Sequence, residues 1–171
     1  MAESGNDYAE FGLVTVTDNS QLFTTAIDHI LQRVLLVGIP QENSSSGRSG
    51  EEPTNAELAF IHTYGSPINR IPARPFMEPA IEEKETKERV AEYYGKAVKS
   101  AFNGDFAGAD ANLGKAGMIA RNAIVRYIDD SSHFVPNAPM TIALKGSDKP
   151  LIDTGSLRTS ITYVIRTEGD N

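Results

Sequence analysis

The sequence predicts an α+β domain with a small, mainly antiparallel sheet and helices packed on one face, one of them long. Three observations carry this prediction. Apolar residues recur at helical spacing in several stretches set apart by Gly and Pro. β-Branched runs that partly alternate stand near both ends of the chain. No internal repeat or linker divides the 171 residues, a length at which a domain buries roughly 70% of its unfolded surface.

Residues 1–10 are small and polar and read as a flexible N-terminus, with residues 11–171 as one domain. Residues 11–17 (FGLVTVT) read as a strand. Asp18, Asn19 and Ser20 are good helix caps. A helix over 20–33 follows, with Leu22, Phe23, Ala26, Ile27, Ile30 and Leu31 on one face. Residues 34–39 read as a buried strand stopped by Pro40. Residues 41–53 (QENSSSGRSGEEP) carry no apolar anchor and read as a flexible loop.

Thr54 caps a short helix over 55–64, with Ala56, Ala59, Phe60 and Tyr64 at helical spacing and Gly65 ending it. Residues 66–75 (SPINRIPARP) hold three prolines and should be extended. Residues 76–103 read as one long helix supported by pairs such as Glu83 with Lys87 and Glu85 with Arg89. Residues 104–108 break it. Asp110 opens another helix to about 129, with Leu113, Ala116, Ala120, Ala123, Ile124 and Tyr127 facing inward and Gly114 and Gly117 allowing close helix packing. Residues 141–145 form a short element of open type. A final strand, starting at 157 or 159, runs to 166.

Composition narrows function. The net charge of −7 argues against a general nucleic-acid-binding surface, which needs clustered Lys and Arg. The absence of cysteine removes disulfides, thiolate metal sites and cysteine nucleophiles, and fits folding in a reducing cytoplasm. The start has no signal-peptide pattern, and no apolar run is long enough to cross a bilayer, so no membrane partner is expected.

Asp153-Thr154-Gly155-Ser156 matches the Asp-Thr-Gly signature of aspartic proteases, in which two such carboxylates share one proton. One copy would require a homodimer. Those enzymes are nearly all β, whereas the middle of this chain is helical, so Asp153, Thr154 and Gly155 read instead as a structural turn. His29, His62 and His133 form no ligand-spaced pair, and no metal or cofactor is expected. Ser156, His62 and Asp153 make a triad only on paper, without a Gly-x-Ser-x-Gly elbow. The glycines lack phosphate-loop spacing. No catalytic residue is assigned, and the chain reads as not an enzyme.

Two stretches are more specific: residues 55–78 (NAELAFIHTYGSPINRIPARPFME) and residues 136–163 (PNAPMTIALKGSDKPLIDTGSLRTSITY). Together they resemble the neck or tail-completion (head–tail joining) proteins of tailed bacteriophages. The likeness lies in a helix ending in Tyr64-Gly65, then Ile71-Pro72-Ala73-Arg74-Pro75-Phe76, a helical middle, and a PLIDTGSLRTSI segment running into a strand. The resemblance implies a non-enzymatic ring at the head–tail junction of the virion, assembled in the host cytoplasm. Its partners would be other copies of itself, the portal or connector, and tail-terminator or tail-tube proteins, with genomic DNA passing through. Tail-terminator and minor-tail roles are the near alternatives. A small cytoplasmic binding protein and a homodimeric protease using Asp153 are the distant ones. Contact surfaces are expected at Ile71, Pro72, Arg74, Pro75 and Phe76, a stiff segment that loses little entropy on docking; the alternative is that Pro72 and Pro75 only fix the entry to the long helix and Arg74 pairs internally. They are also expected at Glu42, Arg48, Glu51 and Glu52 in the loop, whose acidic side chains would let DNA slide past.

Overall fold

The computed structural model describes residues 20–45, 50 and 52–167. The expectations for residues 1–10 and 11–17, and for Arg48 and Glu51, fall outside the described residues. The fold class is the one expected. Strands β1 (Arg33–Gly38) and β2 (Thr162–Thr167) pair antiparallel, from Arg33 opposite Thr167 to Gly38 opposite Thr162. Helices make up most of the rest: α1 (Ser20–Leu31), α2 (Gln41–Ser44), α3 (Asn55–Tyr64), α4 (Met77–Glu82), α5 (Lys84–Phe102), α6 (Phe106–Asp129), α7 (Pro139–Lys145) and α8 (Ser156–Ser160). No helix among the described residues is long and apolar enough to cross a membrane.

The 24-residue α6 is the spine. It starts earlier than the expected Asp110, because the Asp105 carboxylate caps it by accepting from the Gly108 amide at 2.8 Å. Its first half packs Ala109 and Leu113 against Ala97 and Ala101 of α5 and Ala26 of α1. Its second half packs Ile124 and Ile128 against Phe76, Ala80, Phe134, Leu157 and Ile161. The single long helix expected over 76–103 is broken at Glu83, whose backbone is extended (φ −54°, ψ 131°). The break lets α4 aim Ala80 at one core cluster while α5 aims Ala97 and Ala101 at the other. The alanines of α5 and α6 have no bulk to hold these helices apart.

Leu35, Val37, Tyr163 and Ile165 pair across the inner face of the ribbon, while Val34 and Leu36 stay exposed. Gly114 and Gly117 serve this sheet rather than another helix. A Cβ on Gly117 would lie 2.6 Å from Tyr163 Cγ and 2.9 Å from Leu35 Cδ1. Three further expectations are corrected. Phe23 and Leu31 of α1 and Phe60 and Tyr64 of α3 are exposed, because α1 and α3 each bury only a narrow stripe: Ala26 on one, Asn55 and Ala59 on the other. Residues 41–44 of the expected loop form α2, started by the extended Pro40, whose carbonyl accepts from Asn43 N at 3.0 Å. Residues 156–160 are helical, so the last strand starts only at Thr162.

Asp110 ties three elements together. Its Oδ1 pairs with His29 Nε2 at 2.9 Å and accepts from Arg33 Nε at 3.0 Å, while Oδ2 accepts from Arg33 Nη2 at 3.4 Å. Burial works against its charge, but the hydrogen bonds and charges of Arg33 and His29 outweigh that and hold the carboxyl below its ordinary range.

Two outcomes follow. Gly117→Ala should lower stability by about 1–3 kcal/mol through overlap with Tyr163. Gly114→Ala, whose methyl would stand 3.5 Å from Tyr163 Oη, should cost little. Urea unfolding of both variants checks this contrast. A depressed carboxyl contributes stability above the ordinary value of about 3.9, and that stability is lost as pH falls through the lower folded value. Asp110→Asn should therefore cost about 0.5–1 kcal/mol at neutral pH, a figure limited by screening of a partly exposed pair. Its deficit against the parent should close as the unfolding series is taken to acid pH.

Candidate functional site

The two sequence motifs meet at one cleft of about 610 Å³. One wall begins where α3 ends. Gly65 (φ 75°) turns the chain so tightly that a Cβ there would stand 2.9 Å from both Ile71 O and Ala73 N. Ser66 and Ile71 then exchange backbone bonds (2.8 and 2.9 Å), closing a small hairpin with residues 67–70 at its tip. Arg70 leaves that tip at φ 55°, a left-handed conformation that costs a non-glycine residue energy. Pro72 and Pro75 keep the next stretch extended, and the Arg74 amide donates to His62 O at 2.6 Å, tying it back to α3.

The other wall is α7 and the turns after it. The element left open at 141–145 is this helix, with Pro139 in its first turn and Gly146 (φ 67°) ending it. Leu151 (φ 61°) is the second non-glycine residue in the left-handed region among those described. At the Asp-Thr-Gly stretch, Thr154 Oγ1 accepts from Ser156 N at 3.3 Å, and Gly155 (φ 82°) leads into α8. Asp153 is exposed on this turn. The helical surroundings differ from the nearly all-β frame that the protease signature belongs to.

Arg74 joins the walls. The residue is 7% exposed, and its guanidinium donates from Nε to Val135 O (2.8 Å) and from Nη2 to Pro136 O (3.1 Å) and Asn137 Oδ1 (3.3 Å). Asn137 Nδ2 in turn donates to Asp148 O at 3.2 Å. A second bridge runs from Ser156 Oγ to Oδ1 of the fully buried Asn55 at 3.0 Å. Burial pushes the Arg74 guanidinium down from its ordinary value, and among the described residues it has no ion-pair partner. Burial likewise lowers Lys145, which the Asp153 carboxylate partly offsets and Arg74 reinforces. These opposing effects bring the three charges into one electrostatic neighbourhood.

The expected contact residues therefore separate. Arg74 and Phe76 are buried within the chain: Arg74 is bonded internally, as in the alternative reading, and neither is exposed as the contact reading expects. Ile71 and Pro72 are half-buried and line the cleft, and Pro75 is exposed. Glu42 and Glu52 are exposed and lie outside the cleft. Asn55, Asn137, Arg70 and Lys145 were not singled out from the sequence. Asn55 and Asn137 stand inside the two motif stretches, the one signal that pointed to them. Among the described residues, no three His, Asp or Glu side chains gather as metal ligands.

No protein-family model matches the chain, and neither do the curated proteins or solved structures compared with it.

Arg74→Ala removes a fork that satisfies three oxygens and should cost about 3 kcal/mol. Arg74→Lys should recover less than half, because an ammonium does not reproduce the planar fork. Denaturant unfolding of the two variants beside the parent measures both.

Proposed function

We propose that this chain is a structural subunit of a tailed-phage particle. In this reading it forms a ring at the head–tail junction and joins connector to tail around a channel for DNA. The reading rests on the resemblance of the two motifs to neck and tail-completion proteins. One structural observation supports it: Arg74 of the first motif is bound to Pro136 and Asn137 of the second, and Asn55 to Ser156. The segments that carry the likeness are thus joined to each other by side-chain hydrogen bonds and are not separate local turns.

The cleft offers a shaped and charged surface, and the Asp153 turn faces solvent on its rim. That arrangement suits recognition between macromolecules. The exposed Glu42 and Glu52 belong to the same reading as part of an acidic channel lining, which repels DNA enough to let it slide.

Mass spectrometry and electron microscopy of purified particles of the phage encoding the chain test this. The chain should be present in many copies, and a tag on it should decorate the neck, with Glu42 and Glu52 facing the channel. Particles that mature and infect without the chain would sink the proposal.

A further inference from the structure

The cleft holds charge that the chain leaves unspent. Arg70, Arg74 and Lys145 line it against one carboxylate, Asp153. None of the three cations has an ion-pair partner among the described residues. Arg74 is the most constrained of them. Its Nε and Nη2 donate to Val135 O, Pro136 O and Asn137 Oδ1, whereas Nη1 has no acceptor among the described residues. Nη1 nevertheless reaches solvent, and the cleft is the cavity that Arg74 lines. Two N–H groups of a cation only 7% exposed are therefore open to whatever enters. Lys145 gives one bond, to Lys149 O at 2.8 Å, and the exposed Arg70 side chain gives none. A cation so far withdrawn from water favours a fixed anion, because hydration no longer compensates its charge in full.

Shape and polarity narrow the anion. The 610 Å³ of the cleft lies in the range of small-ligand sites. Leu58, Ile71, Pro72, Leu151 and Leu157 make much of the lining apolar. Apolar surface continues past both sides of the mouth. Ile68 at the hairpin tip is 95% exposed. On α7, Met140 and Leu144 stand next to the cleft-lining Thr141 and Lys145 and are 76% and 82% exposed. Exposed apolar surface around a polar site marks a place of interaction. A polyanion such as nucleic acid needs a track of cations; here it would meet apolar side chains and the Asp153 carboxylate instead. One carboxylate with an apolar neighbour on each side fits both the charge and the rim.

We propose that the cleft between the 66–71 hairpin and α7 is a binding site for an acidic side chain of a partner protein, carried in a short segment with apolar residues on either side of it. The carboxylate accepts from Arg74 Nη1, with Arg70 and Lys145 adding charge from the two walls. The flanking side chains cover Ile68 on one wall and Met140 and Leu144 on the other. Such a site recognises a local apolar–acid–apolar sequence and is indifferent to the net charge of the partner. It stands apart from the ring reading and does not depend on it.

Affinity selection on the immobilised full chain tests this with two libraries of acetylated, amidated pentapeptides. Both carry Leu, Ile, Val, Phe or Met beside the central position, which is Glu in one library and Gln in the other. The parent is compared with Arg70→Gln/Lys145→Gln, circular dichroism reports the fold, and mass spectrometry identifies retained peptides. Lys145→Gln alone takes the place of the double variant if that is unfolded. Glu peptides should be retained at least about tenfold more than their Gln counterparts, the ratio that one charge-assisted hydrogen bond supplies. The preference should shrink severalfold in the variant. A benzoylphenylalanine placed beside the Glu should cross-link to residues 66–71 or 139–146. Equal retention of the two libraries, or retention of neither, would overturn the proposal. So would a Glu preference that is undiminished in the folded variant, or cross-links confined to other segments. A third library, with central Gln and a free C-terminal carboxylate, separates a chain end from a side chain, and retention of that library alone would overturn the assignment. Duplex DNA binding that the variant abolishes, without any Glu preference, would overturn it in favour of nucleic acid. The ring reading is judged separately, by presence at the neck.

Discussion

A buried guanidinium holds the cleft together. Arg74 donates to Val135 O, Pro136 O and Asn137 Oδ1, and so fastens the extended stretch after α3 to the loop before α7. Burying a cation is costly unless its donors are satisfied. Here they are met largely by backbone carbonyls, which supply hydrogen bonds without supplying a neutralising charge. The positive field is therefore left in place at the base of the cleft. Around this clamp, Pro72 and Pro75 remove backbone freedom on one side, and the Asn137–Asp148 and Asn55–Ser156 bonds fix the other. Assembly through such a surface would pay little ordering entropy, since its walls are set before a partner arrives.

Behind the cleft stands a helical frame whose geometry depends on small residues. The alanines of α5 and α6 and the glycine at 117 let helices and ribbon approach closely, and α6 carries both core clusters along its length. The Asp110 node then joins α1 and the start of β1 to that spine. The cleft lies near one core cluster, since Leu151 and Leu157 belong to both.

How much of this was legible in the sequence differs by level. Helical periodicity placed α1, α3 and α6, and Gly65 and Pro40 punctuated the chain where expected. The inward positions of α6 were readable because a helix buried along most of its length shows its period clearly. Phe23, Phe60 and Tyr64 were misplaced because periodicity reports which residues share a face, not how wide the covered stripe is. The break at Glu83 left no Gly or Pro at the bend itself; it arises from two core clusters pulling α4 and α5 in different directions. At the site, the stiffness of residues 71–76 was readable from its prolines. The inward direction of Arg74 was not, because it depends on acceptors some sixty residues away, and that of Phe76 was not, because it depends on packing with distant residues such as Ile124 and Ile161. The roles of Asn55 and Asn137 were hidden for the same reason.

The central claim is that the buried Arg74 guanidinium sets the cleft walls by joining the stretch after α3 to the loop before α7. Hydrogen–deuterium exchange of the folded parent beside Arg74→Lys tests it most directly. The account predicts faster exchange of amides in residues 66–74 and 134–146 of the variant, with α6 unchanged. Equal exchange of both proteins across those two segments would contradict it.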